Sequence, residues 1–171
     1  WVQGKLGISS LAAIVSDLCQ RSGLAPADLN VSKITDQVEG YVISSPQTIR
    51  DCIETLQQGY FFDSVESDHV LKFVPRGGNS ALSVSEDNLI PQFGSDNNEL
   101  FKITRVQEIE LPKRVNIVYL SRLANYQSAT QYSQREITGS KRVAAIDLPI
   151  VFSDQVAKTV ADVTLFSNWV N

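Results

Sequence analysis

The stretch from 101 to 137, FKITRVQEIELPKRVNIVYLSRLANYQSATQYSQREI, constrains this chain more than any other. It holds two strand-like runs, Phe101 to Leu111 and Arg114 to Leu120, which meet at Pro112. In the second run Val115, Ile117 and Tyr119 alternate with Arg114, Asn116 and Val118. That is the period-two pattern of a strand with one buried face. Proline has no backbone N–H, so Pro112 marks an edge, a bend or a strand end. A polar stretch bearing Tyr126 and Tyr132 follows and ends in Arg135 and Glu136. No catalytic motif lies here, and the stretch reads as scaffold that positions neighbouring chains.

The flanking segments supply helices to cover such a sheet. Ser9 or Ser10 can cap a helix running to about Ser22, with Leu11, Ile14, Val15, Leu18 and Cys19 on one stripe and Gly23 placed for a left-handed C-cap. Val38 to Ile43 is a short β-branched strand candidate. Ser45 and Pro46 set up a second helix, with Ile49, Cys52, Ile53 and Leu56 inward and Gly59 ending it. Tyr60 to Val65 and Val70 to Val74 read as a hairpin with Glu66 to His69 at its tip. Arg76 to Ser80, with Gly77 and Gly78, is a breaker and the expected domain boundary. Beyond it Ala81 to Val84 reads as a short strand and Ser85 to Asn98 as a polar loop containing Pro91 and Gly94. After the central stretch, Arg142 to Ile146 reads as a strand. Ser153 or Asp154 caps a last helix whose inner face would be Val156, Val160, Val163 and Ser167. The expected fold is α+β: a helix-strand-helix-hairpin domain over 1–76, then a β-rich, barrel-like domain over 81–171 with a C-terminal helix.

With 171 residues, 43% of them hydrophobic, the chain has material for a sizeable core. No apolar run approaches the roughly 18 residues a membrane-spanning helix needs. The net charge of -4 and the lack of any basic block speak against binding a nucleic-acid backbone. The chain opens at Trp1, contains no methionine and stops at LFSNWVN, so it is expected to be a segment of a longer protein. Cys19 and Cys52 have no metal-site spacing, and both fall on apolar helical stripes. They are expected to be buried free thiols, with a single bridge between packed helices as the alternative.

Four constellations could carry chemistry. Glu108 and Glu110 would lie on one side of a strand, about 6.5–7 Å apart, within the range of paired glycosidase carboxylates. Their polar neighbours and the absence of an adjacent aromatic platform favour a solvated strand face. His69, the one histidine, would have to serve any Ser-His-Asp or Cys-His site, yet it sits at a hairpin tip beside Asp68. Gly77-Gly78 lacks the context of a phosphate-cradling loop. Tyr119, Tyr126 and Tyr132 are the remaining candidates, suited to a protein interface or to stacking a ligand. No cofactor motif is present, and a non-enzymatic role is expected.

The run Leu11 to Ile14 through Gly23-Leu24, then Gly40-Tyr41, Thr48 to Leu56, Val65 to Asp68 and Leu71 to Phe73 resembles a family of phage tail proteins. That family includes the central tail-hub and tail-tip proteins of long-tailed phages and gene-transfer agents. Val106 to Pro112, Val115 to Tyr119, Asn125 to Gln127, Tyr132 to Arg135 and Asp147 to Pro149 are similar to its second half. The polar Gly94 to Asn98 stretch departs from it. The resemblance implies an α+β domain beside β-rich, tube-forming domains assembled around a tail axis, commonly as trimers. It further implies a structural component of a phage or prophage tail, with other tail proteins and a homo-oligomeric ring as partners, made in the host cytoplasm and located in the virion. A carbohydrate or receptor-binding module using Tyr119, Tyr126 and Tyr132 is the first alternative, and a cell-wall glycan hydrolase using Glu108 and Glu110 the second.

Overall fold

The computed structural model describes residues 7–80, 82–89 and 105–170. The expectations placed on Phe101 to Thr104, Ala81, Pro91 and Gly94 to Asn98 lie outside the described residues. In chain order the elements are β1 (Ser9–Ser10), α1 (Leu11–Arg21), β2 (Leu29–Asn30), β3 (Gln37–Val38), α2 (Ile49–Tyr60), β4 (Phe62–Ser67) and β5 (Val70–Pro75). Then come β6 (Pro112–Ser121), β7 (Gln127–Gln134), β8 (Arg142–Phe152) and α3 (Asp154–Val170). The α+β class holds.

Local signals set the first helix. The Ser10 hydroxyl accepts a hydrogen bond from the Ala13 amide at 3.2 Å, satisfying one orphan donor of the first turn. At the other end Leu24 N–H donates to the Cys19 carbonyl and Gly23 N–H to that of Gln20. This Schellman closure places Gly23 at φ 96°, where a Cβ would be strained. The second helix starts later than Ser45-Pro46 suggests. Thr48 and Asp51 form a reciprocal capping box that out-competes the proline signal. Gly59 does not end it; the helix runs on to Tyr60, and Phe61 takes the left-handed cap at φ 52°.

The hairpin of β4 and β5 turns through Asp68 and His69, both with positive φ as a two-residue type I′ turn requires. Phe62 and Phe73 meet edge-on behind it, ring centroids 6.1 Å apart. Leu11, Val15, Leu18, Cys52 and Leu56 fill the space between α1, α2 and this sheet. Full burial of each aliphatic side chain stabilises by about 1.5–3 kcal/mol before the entropy of ordering it is subtracted. Of the expected strand Val38 to Ile43 only Val38, the second residue of β3, is in a strand, and Tyr41 adds an isolated bridge to Ile150.

The second sheet has strand order β7-β6-β8, with β6–β7 antiparallel and β6–β8 parallel. Three strands do not close on themselves, and among the described residues there is no barrel. Residues 105–107 are irregular and Glu108–Glu110 form a single 3-10 turn, so the described part of the expected 101–111 strand is not one. Leu82 to Val84 is not a strand either. By contrast β8 runs past Ile146 to Phe152, through Pro149. A register shift between Val118 and Leu120 opens room for that proline. On its far side residues 40–42 complete the pairing: Val42 N–H donates to the Pro149 carbonyl and Val151 N–H to the Gly40 carbonyl.

α3 lies across β6 and β7, held at three points. Tyr119 Oη donates to Asp154 Oδ1 at its first turn, 2.5 Å. Ser133 Oγ donates to Asp162 Oδ1 at its middle, 2.5 Å. Trp169 Nε1 donates to the Pro112 carbonyl at its end, 2.9 Å. Its buried face is Ala157, Val160, Ala161 and Leu165. Of the expected inner face only Val160 is buried; Val156, Val163 and Ser167 are exposed. Two alanines let the helix backbone approach the sheet, and that close packing outweighs the larger apolar area of the valines.

Candidate functional site

Each of the three tyrosines occupies a different environment. Tyr119 is buried on the sheet face that α3 covers. Burial, and then the hydrogen bond to the Asp154 carboxylate, push its phenol up to about 12. Tyr132 pairs with Asn116 across β6–β7. Because side chains alternate, it stands on the opposite, open face. There the Arg114 guanidinium lies 3.8 Å from its ring centroid, and Arg114 Nε donates to Asn116 Oδ1 at 2.8 Å. A cation over an aromatic face contributes about 0.5–1 kcal/mol at an exposed site. Tyr126 sits at the β6–β7 hairpin tip, 60% exposed, beside Leu123 at 86%. The three therefore do not converge on one site.

The two glutamates are no catalytic pair on a strand. Glu108 Oε1 accepts from Thr138 Oγ1 at 2.8 Å and from the Gly139 amide at 2.9 Å. The Gly139 amide, then the Thr138 hydroxyl and the charge of Arg135, hold its carboxyl below the usual range. A few atoms away Ser140 Oγ donates to the Leu111 carbonyl, and Arg142 Nη1 donates to that of Glu110. Together these bonds latch the 3-10 turn before β6 to the loop before β8. His69 is exposed in its turn, next to an Asp68–Lys72 ion pair at 3.1 Å. Gly77 has φ 77° and Gly78 stands in open space. Cys19 and Cys52 are buried and unpaired, and burial pushes the Cys19 thiol up. Among the described residues no group of His, Cys, Asp and Glu could hold a metal ion. No helix among them is long and apolar enough to cross a membrane.

One open groove, about 420 Å³, runs beside α3 where the helix leaves the first half of β8 uncovered. Pro112, Val143, Ala144 and Ile146 give it apolar walls, with Glu110, Arg142 and Asn168 among its polar lining. This groove, the Arg114–Tyr132 stack and Leu123 were not visible as features of the sequence. The available signal for the last was a lone leucine in an otherwise polar turn.

A family model described as "Putative phage tail protein" matches residues 48–171, from the N-cap of α2 to the end of the chain. No curated protein is a significant match. Among solved structures, a chain of "Virion of native gene transfer agent (GTA) particle" is similar at TM-score 0.86 and 21% sequence identity. The alignment covers 98% of this chain and 37% of that one, so this chain spans well under half of its structural neighbour's length.

Proposed function

Starting from the fact that the chain belongs to the phage tail protein family, we propose that it is a hub or tip component that holds neighbouring tail subunits in position. A member of this family works in the virion, as structural material of the tail. The family match carries the reading, because it spans the whole clamped unit of β6, β7, β8 and α3. The physical arrangement suits a scaffold. Polar side chains tie α3 to the sheet at three points, and the Glu108 latch fixes the entry to β6. Neighbouring tail proteins and further copies of the chain in a ring are the partners, and the role is not enzymatic. Antibodies against this chain, applied to intact particles and viewed by electron microscopy, test the position. Label at the hub or distal tip of the tail is expected; label on the head, or a chain absent from purified particles, would sink the proposal.

A second reading, a carbohydrate- or receptor-binding module, draws on Tyr126, whose ring is exposed at a hairpin tip. Tyr132 supports it less, because Arg114 already occupies one face of that ring. Glycan-array binding that disappears in Tyr126→Ala would favour this reading over a pure scaffold.

A further inference from the structure

β8 is paired along one half of its outer edge and bare along the other. At the paired half Val151 N–H and the Pro149 carbonyl are bonded to residues 40–42. Side-chain burial alternates unbroken from Val143 to Ile150, so the same edge carries the N–H and carbonyl groups of Val143, Ala145 and Asp147. Among the described residues no strand lies beside these groups and no backbone partner bonds them. Natural edges of this kind are blunted by lysine, proline or a bulge. The run Val143 to Ile146 contains none of these, and Val143 is 60% exposed.

The bare half borders the groove beside α3, which Ala144 and Ile146 help to line. A recess of about 90 Å³ between Phe61, Arg76 and Leu148 shares Ile146 and Thr164 with that groove and so continues it. From Arg142 to Leu148 the combined trough follows roughly 20 Å of strand. Unbonded backbone beside an apolar trough suits an incoming strand: main-chain bonds supply affinity, and every second side chain enters the trough. We propose that the first half of β8 takes up an extended segment of a different tail protein as an added strand. The source of that segment rests on the tail role proposed above; the site itself does not.

The walls set the chemistry of the segment. Glu110 and Arg142 stand at the same end of the groove, so charge does not select the partner. The apolar floor of Val115, Ile117, Ala144 and Ile146 calls for alternating valine-like side chains. This chain's other outer strands do not offer them. β4 presents Asp63, Ser64 and Glu66, and β7 is QSATQYSQ, with its Ser133 face already under α3. An edge of a second copy therefore does not fit.

The test uses the purified chain and a fluorescein-labelled nonapeptide that alternates valine with threonine. Its anisotropy should show saturable binding. The same peptide N-methylated throughout its backbone should bind about tenfold more weakly or worse, because it cannot complete the ladder. Ala145→Pro removes one outward donor at an exposed position and should weaken binding likewise, whereas Ala145→Thr keeps the N–H and should bind as the unaltered chain does. If the proline variant does not fold, the methylated peptide still decides. In hydrogen exchange read by NMR, the amides of Val143, Ala145 and Asp147 should exchange fast in the free chain and slow down with peptide bound. No binding, equal binding of the methylated peptide, or outward amides already protected in the free chain would each overturn the proposal. These readouts are independent of where antibody label falls on the particle, so failure here is distinct from failure of the tail role.

Discussion

Gly40→Ala should destabilise the protein although it adds a single methyl group. A Cβ built on Gly40 would stand 2.7 Å from Val151 Cγ2 and 3.4 Å from Val151 Cβ. Val151 is buried, its N–H is bonded to the Gly40 carbonyl at 2.8 Å, and its branched side chain has little χ1 freedom. The methyl therefore meets an atom that cannot swing away. Overpacking of this kind costs about 1–3 kcal/mol. Against it stands the smaller unfolded-state entropy of alanine, which favours the variant by about 0.4–1 kcal/mol. The net loss is about 1–2 kcal/mol, or roughly 2–8 °C in Tm for a chain of this size. Gly78→Ala is the matched control: its Cβ meets nothing within 4 Å, so it should be neutral or slightly stabilising. Urea unfolding of Gly40→Ala, Val151→Ala and the double variant gives the coupling directly, and removing Cγ2 should recover about 1–3 kcal/mol. The reasoning fails if Gly40→Ala is as stable as Gly78→Ala, or if the two substitutions are additive.

Limited proteolysis should cut first at 77–80, where every residue is exposed and a glycine pair interrupts the chain. We propose that this break divides two folding units; nicked halves should still co-elute, because Tyr60 stacks on Phe152 and Tyr41 bridges to Ile150 across it. Cys19 and Cys52 should resist a thiol reagent in the native protein and react fully after denaturation; rapid native labelling would contradict their burial. The Glu108 latch should add pH dependence. Its carboxyl titrates lower in the folded than in the unfolded state, so the stability it contributes is present above the ordinary carboxylate pKa and is lost as pH falls through the lowered value. Glu108→Gln should flatten the acid limb of the stability curve, and an unchanged limb would mean the latch carries no weight.

The parts legible in the sequence are those in which one local signal dominates. α1 declares itself through Ser10, its apolar stripe and Gly23, and β6 through the alternation from Arg114 to Leu120. What escaped depends on partners distant in the chain. β7 is QSATQYSQ, with no large aliphatic residue, and reads only as a polar, tyrosine-bearing stretch. Its buried serine, Ser133, gains its place from Asp162, 29 residues away. α3 carries apolar residues on two stripes, so periodicity alone could not tell the packed face from the exposed one. Pro149 argues against a strand until residues 40–42 are known to lie on its far side. The tyrosines were legible as residue types. Their separation onto a buried face, an open face and a hairpin tip follows from the β6–β7 register, which the sequence does not state.

The pairing of residues 40–42 with β8 bears on how the chain is made. Gly40 and Val151 are more than a hundred residues apart in order of synthesis. At roughly 5–20 residues per second, the ribosome delivers the second partner about 5–20 s after the first. Until then the side of α2 that carries Gly59 has no Ile150 or Phe152 to rest on. The nascent chain thus passes through an interval in which two helices and a hairpin are present but one apolar flank is bare. Chaperone contacts during translation should concentrate in that interval and end once Phe152 clears the exit tunnel.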